Sequence, residues 1–166
     1  MTRPGYLVDG PVIDRNKIPP LGGRAHDDAG RTGAWSKAAT TGIPVDDRAA
    51  ALHCTGTWKS AAASAAWPGT ERASAAKGAY VSFSADGTQL RTVATRKSNG
   101  GRFAVVVDGK TVGTVNTYAA KTAYRQVVFT RTLGTAITTH KVQLRILSDS
   151  TPGRSTVALD AVMVTR

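Results

Sequence analysis

From Tyr80 to the C-terminus, hydrophobic and polar residues alternate in short runs, each closed by turn residues. The clearest run is 141–147, where Val142, Leu144 and Ile146 interleave with Lys141, Gln143 and Arg145. Successive side chains of a strand point to opposite faces, so this run predicts a strand with its apolar face inward and its polar face outward. Residues 80–84 alternate in the same way, ahead of a predicted turn at 85–88, and 89–95 form the next strand. Asn99-Gly100-Gly101 is a turn signal, followed by the apolar run 103–107. Asp108-Gly109 predicts a tight hairpin into 110–118, because both central positions of such a turn need positive φ. In 124–131 the alternation places Tyr124, Gln126, Val128 and Thr130 on one face and Arg125, Val127, Phe129 and Arg131 on the other. Residues 156–165 give the last strand, and Trp58 with its neighbours the first. The Ala-rich stretch 61–66 has helical propensity, but Pro68 and Gly69 stop it. About seven or eight short strands without room for crossover helices predict an all-β, antiparallel sandwich.

Composition agrees with that pattern. The chain has 22 Thr and 16 Val but one Glu, Glu71. Helical surfaces use Glu freely and sheets favour Val and Thr, so a helical bundle is excluded. Cys54 is the one cysteine, which excludes an intramolecular disulfide and every multi-cysteine zinc site. Apolar runs fall far short of the roughly 20 residues that span a bilayer, so no membrane partner is expected. Residues 1–45 differ from the rest, with five of the seven prolines. Prolines at this density break helices and cannot donate within a central sheet, so an extended N-terminal arm is predicted, with a solvated leader as the competing reading. Tyr6, Leu7, Val12, Ile13, Ile18 and Leu21 are its candidate docking residues, on a partner or on the chain's own sheet. The expected organisation is thus an arm over 1–45 and a sandwich over 46–166.

A run of residues along 46–166 resembles the galactose-binding-like jelly-roll modules of actinobacterial surface and secreted proteins and of phage proteins. It comprises Asp46-Asp47-Arg48, Gly56-Thr57-Trp58, Tyr80-Val81-Ser82-Phe83, Val105 to Val112, Val115 to Tyr118, Tyr124 to Thr130, Thr139 to Leu144 and Val157 to Ala161. The resemblance implies a jelly-roll β-sandwich and a binding or structural role. It implies no particular ligand residues, because this fold hosts many tasks.

Catalytic chemistry finds little support. There is no Gly-x-Ser-x-Gly elbow. Asp86 and Asp108 fall in predicted turns, where Asp is routine. Asp160, between Leu159 and Ala161, reads as a buried, hydrogen-bonded carboxylate, with metal ligation as the alternative. His53 and Cys54 are adjacent in a predicted strand and so point apart. His140 opens a strand beside a polar turn, and His26-Asp27-Asp28 lies in a Gly-rich stretch. No catalytic residue, metal site or cofactor is assigned.

Binding is the better prospect. The net charge is +11, and 46–166 hold 16 Lys and Arg against 7 Asp and Glu. Arg91, Arg96, Lys97, Arg102, Arg125, Arg131 and Arg145 mostly fall on strands or beside turns, which reads as a solvated face or a docking surface, with a basic stripe of several of them on one sheet face, attractive to anionic polymers, as the alternative. No nucleic-acid motif accompanies them, so nucleic acid is not the expected partner. Aromatic faces stack on pyranose rings, and Trp67 before Pro68-Gly69 and Tyr118 at a strand end are the exposed candidates. Arg96 and Asn99 are their polar loop partners, while Trp58 is expected in the core. The N-terminus carries no basic region, apolar run and cleavage site of a secretory leader. Together these features predict a non-enzymatic virion component of a bacteriophage, a capsid decoration or tail protein. Its jelly roll would face outward toward host glycans, and its arm would dock on other subunits. The alternatives are a carbohydrate-binding module of an actinobacterial surface or secreted protein, and an accessory domain of an esterase or glycosidase. A homo-oligomer is left open.

Overall fold

The structure is a computed structural model and describes residues 42–147 and 151–166. Eleven strands follow in chain order: β1 (Ile43–Asp46), β2 (His53–Thr55), β3 (Lys59–Ala62), β4 (Thr70–Ser74), β5 (Tyr80–Gly87), β6 (Gln89–Arg96), β7 (Arg102–Val107), β8 (Lys110–Asn116), β9 (Ala123–Thr132), β10 (Thr138–Leu147) and β11 (Val157–Thr165). They form two antiparallel sheets. One runs β3-β4-β11-β6-β9, with β1 also paired to β11; the other runs β2-β5-β10-β7-β8. The packed pair is the all-β antiparallel sandwich that the alternation predicts, consistent with the jelly roll that the resemblance implies.

The core is the seam between the sheets. Leu90, Val157, Leu159 and Val162 enter it from the first sheet, and Val81, Phe83, Phe103, Val105, Val142, Leu144 and Ile146 from the second. The predicted inward face of β10 is found there, with Val142, Leu144 and Ile146 at 1–2% exposure. Asp108 and Gly109 turn the β7–β8 hairpin with φ of 49° and 79°, the left-handed conformation this turn requires. Cys54 packs against the core while His53 is exposed, so the two side chains diverge.

Several local expectations are corrected. Residues 59–62 form strand β3, not the start of a helix, because pairing from Lys59↔Ala73 to Ala62↔Thr70 overrides alanine's propensity. The predicted turn at 85–88 shrinks to Thr88: β5 runs on to Gly87, and Thr88 hydrogen-bonds to the Thr165 carbonyl. Strict alternation fails in β9, where register shifts opposite Thr92/Val93 and Ala94/Arg96 put Val128 and Phe129 both against the core and leave Val127 53% exposed. The sandwich opens ahead of the expected boundary, at Ile43. Pro44 is tolerated in β1 because that strand pairs on one side only, with β11. The docking residues proposed for the arm, Tyr6, Leu7, Val12, Ile13, Ile18 and Leu21, lie outside the described residues, as do Trp35 and His26-Asp27-Asp28.

Just after β1, Asp47 is 2% exposed. Its Oδ1 accepts a hydrogen bond from Thr70 Oγ1 at 2.9 Å, and Arg72 Nε lies 4.0 Å from Oδ2. Burial, together with the neighbouring Asp46 carboxyl, pushes the Asp47 carboxyl up to about 6, while Thr70 and Arg72 pull it down. An unfolded Asp titrates near about 4. The folded chain therefore holds the extra proton between these values, and this site's contribution to stability falls as pH rises from about 4 to about 6.

Two predictions follow from this frame. Phe103→Ala removes the largest fully buried side chain and should lower the unfolding free energy by about 3–5 kcal/mol in urea titration; a loss under about 1 kcal/mol would place Phe103 outside the core. Asp47→Asn still accepts from Thr70 but carries no charge. Its stability relative to the parent should improve by about 2–3 kcal/mol between about pH 4 and pH 7. A pH-independent difference would refute the buried-carboxylate account.

Candidate functional site

The site begins with a carboxylate in the central strand of the first sheet. Leu159 faces the core, and the register of β11 shifts between Leu159 and Ala161. Asp160 thus points to the sheet's outer face, yet it is 0% exposed. The β3–β4 loop covers it: Trp67 N donates to Asp160 Oδ1 at 2.7 Å. The loop closes on itself through Ala63 N to Gly69 O, Ala66 N to Ala63 O and Gly69 N to Ala66 O, at 2.8–2.9 Å. Arg125, held at φ 53° in an irregular stretch of β9, donates from Nη2 to Ala66 O at 3.2 Å. Ala66 is buried beneath this strap while Trp67 stays 45% exposed. Tyr124 and Val127, at 39% and 53% exposure, flank Arg125 on β9. Burial raises the Asp160 carboxyl above its ordinary range, and Glu71 adds to this. The Trp67 N–H and the Arg125 charge oppose it.

The second part lies at the end of the sandwich where β6 leaves for β7, β8 for β9 and β10 for β11. Lys97 joins the two parts. Its main chain bonds Thr117 O and Ala119 N, both at 3.1 Å, and its Nζ reaches Glu71 Oε1 at 3.0 Å on the outer face. Tyr118 N bonds Asn116 Oδ1 at 2.9 Å, and the Arg154 guanidinium stacks 3.5 Å from the centre of the Tyr118 ring. Arg96 Nη2 donates to Asn116 O at 3.3 Å. Asn99 O accepts from Thr156 N, and Asn99 Nδ2 donates to Thr156 Oγ1. Gly100 and Gly101 let these loops close up: a Cβ on Gly100 would lie 2.2 Å from Thr117 O, and one on Gly101 2.6 Å from Ser155. Beside Thr156 opens a cleft of about 320 Å³, lined by Thr57, Lys59, Ser74 and Ala76 among others.

The opposite end is different in kind. His140 Nδ1 lies 2.7 Å from Asp108 Oδ2, and Lys141 N donates to Asp108 Oδ1 at 2.8 Å. The His140 contact, then the Lys141 N–H, lowers the Asp108 carboxyl. This is a structural clasp between the β7–β8 turn and the start of β10, beside a cleft lined by Val107, Lys110, Arg131 and Leu133.

Of the predicted ligand residues, Arg96, Asn99 and Tyr118 come together at the loop end. Trp67 stands apart on the outer face, where its loop is bonded to Asp160. The alternative of a basic stripe does not form, because its members disperse. Arg91 and Arg125 belong to the first sheet, Arg145 lies exposed on β10 of the second, and Arg96, Lys97 and Arg102 sit at the loop end. Asp160 is the hydrogen-bonded buried carboxylate that its apolar neighbours suggest. Sequence reasoning missed Arg154, the strap role of Arg125 and the Lys97–Glu71 pair, none of which has a local sequence signal. Among the described residues, no group of three His, Cys, Asp or Glu side chains could hold a metal ion.

An outward aromatic on a clamped loop and a separate polar loop cluster are thus carried on one antiparallel β-sandwich. The comparisons agree with that fold. The CBM36-1 domain of a multidomain xylanase, from the hindgut metagenome of Trinervitermes trinervoides, superposes with a TM-score of 0.51 at 17% identity, over 75% of this chain and 95% of that one. A family two carbohydrate esterase from Cellvibrio japonicus gives 0.55 at 14% identity, over 76% of this chain and 34% of the esterase. In sequence, an A type blood N-acetyl-alpha-D-galactosamine deacetylase of Flavonifractor plautii is 39% identical over 87 residues. That match takes in 52% of this chain and 11% of the relative, so the chain corresponds to a small part of that protein. No family model matches the chain.

Gly100→Ala should force the loops around Thr117 apart and cost about 1–3 kcal/mol. Urea unfolding followed by circular dichroism reads the loss, and parent-like stability would contradict the close approach.

Proposed function

We propose that the sandwich is a non-catalytic carbohydrate-binding module that works outside the cell beside carbohydrate-active enzymes. The carrying observation is Trp67: a large indole left 45% exposed on a loop that is anchored by Asp160 and strapped by Arg125. Exposing an indole is unfavourable unless a ligand covers it, and holding it rigid removes an ordering cost from binding. A pyranose stacks on such a face, and Lys97, Asn99 and Tyr118 continue the surface toward the loop end. The fold shared with a xylanase's binding module and with part of a carbohydrate esterase supports this reading over the virion component predicted from sequence, which the comparisons leave without support. The relative named for N-acetyl-α-D-galactosamine makes that sugar a sensible first probe.

Trp67→Ala should weaken binding to the best ligand of a glycan panel at least about tenfold, equal to about 1.4 kcal/mol, in calorimetric titration. The melting temperature should stay within about 2 °C, because the side chain is half exposed and the loop is held by main-chain bonds. Unchanged affinity would refute the platform.

A further inference from the structure

The charges of the described residues are distributed unevenly between the two ends. The hairpin end carries the exposed carboxylates Asp86 and Asp108, which offset part of the charge of Lys110, Arg131, Lys141 and Arg166 there. The loop end gathers Lys77, Arg96, Lys97, Arg102, Lys121 and Arg154, and its one described carboxylate, Glu71, is buried and paired with Lys97. Among the described residues, neither Arg96 nor Arg154 faces a carboxylate.

We infer that the ligand is an anionic polysaccharide whose acidic groups are bound by Arg96 and Arg154 beside Tyr118, an inference that rests on the carbohydrate-binding reading above. Arg154 Cζ lies over the Tyr118 ring, 3.5 Å from its centre, and this contact restrains the planar fork of N–H donors before a ligand arrives. Arg96 uses one donor, on the Asn116 carbonyl, and keeps the rest. A guanidinium fork matches a carboxylate or a sulfate in bidentate geometry, and charge-assisted bonds of this kind are about twice as strong as neutral ones. Neutral hydroxyls do not need such donors; Asn99 and Thr156, in the same cluster, suit them. A single-stranded nucleic acid fits less well, because its binding uses successive aromatic platforms with free faces, and the Tyr118 ring is already covered by Arg154.

The test titrates the full chain with polygalacturonate, its fully methyl-esterified form, heparin and single-stranded DNA, each at low and moderate salt. The esterified polymer keeps the hydroxyls and loses the charges. Polygalacturonate or heparin should bind at least about tenfold tighter than the esterified polymer, and which of the two is tighter separates carboxylate from sulfate. Arg154→Gln, and equally Arg154→Lys, should weaken that binding about tenfold, since lysine keeps the charge but not the fork. Lys141→Gln, at the opposite end, removes the same charge and should leave affinity unchanged. Equal weakening by Lys141→Gln, or DNA binding as tight as the acidic glycan, would reduce the effect to net charge and overturn the inference. Equal affinity for the esterified polymer would overturn the anionic class while leaving carbohydrate binding intact. Failure to bind any glycan, neutral or acidic, would remove both.

Discussion

A carboxylate without exposure, Asp160, sits at the irregularity of the central strand β11, and the surrounding architecture meets it at Oδ1 while Oδ2 stays buried with no hydrogen-bond partner among the described residues. Burying such a group is costly unless donors and opposite charge face it. The Trp67 amide supplies the donor and Arg125 supplies the charge. Meeting that need fixes three segments in place: the β3–β4 loop is drawn over the sheet, β9 is tied to it through Arg125 and Ala66, and the turn after β1 is pinned by Asp47 N bonding to Asp160 O at 3.1 Å. On the loop held by this bond, the Trp67 side chain lies outward, 45% exposed.

The two ends of the sandwich divide the work. At one end two connections are very short, with Thr88 alone between β5 and β6 and two residues between β7 and β8, and 133–137 join β9 to β10. The Asp108–His140 clasp closes that end. At the other end, four longer loops meet, and glycines replace side chains where backbones approach. A rigid sheet that carries adaptable loops at one end is a common way to build a binding surface, because the scaffold holds the loops without dictating their chemistry.

The sheet register was legible where one face is buried and the strand is regular. β10 shows this best, with every second residue in the core. β9 was not legible, because its irregularities depend on β6 and leave no mark in its own alternation. β3 was hidden by alanine, whose local preference lost to pairing with β4. The site divides similarly. Asn99-Gly100-Gly101 and the strand end at Tyr118 announce a loop cluster, so Arg96, Asn99 and Tyr118 could be chosen from sequence. The bond from Trp67 to Asp160 joins residues 93 positions apart, and the strap from Arg125 requires a left-handed residue in a strand. Neither has a local pattern. Charge counting identified a basic surface but misplaced it, because the path of the chain decides which end a strand residue occupies.

The most direct test is to watch the tryptophan indoles while a glycan is added. The chain has three, at Trp35, Trp58 and Trp67. Trp58 donates its indole N–H to Thr55 O at 3.2 Å and packs against the core, whereas Trp67 is exposed on the outer face. In two-dimensional NMR of ¹⁵N-labelled protein titrated with an oligosaccharide, with Trp67→Phe to assign its signal, the account predicts that the Trp67 indole resonance moves with saturation while that of Trp58 stays in place. A saturable titration that leaves the Trp67 resonance unmoved would contradict it.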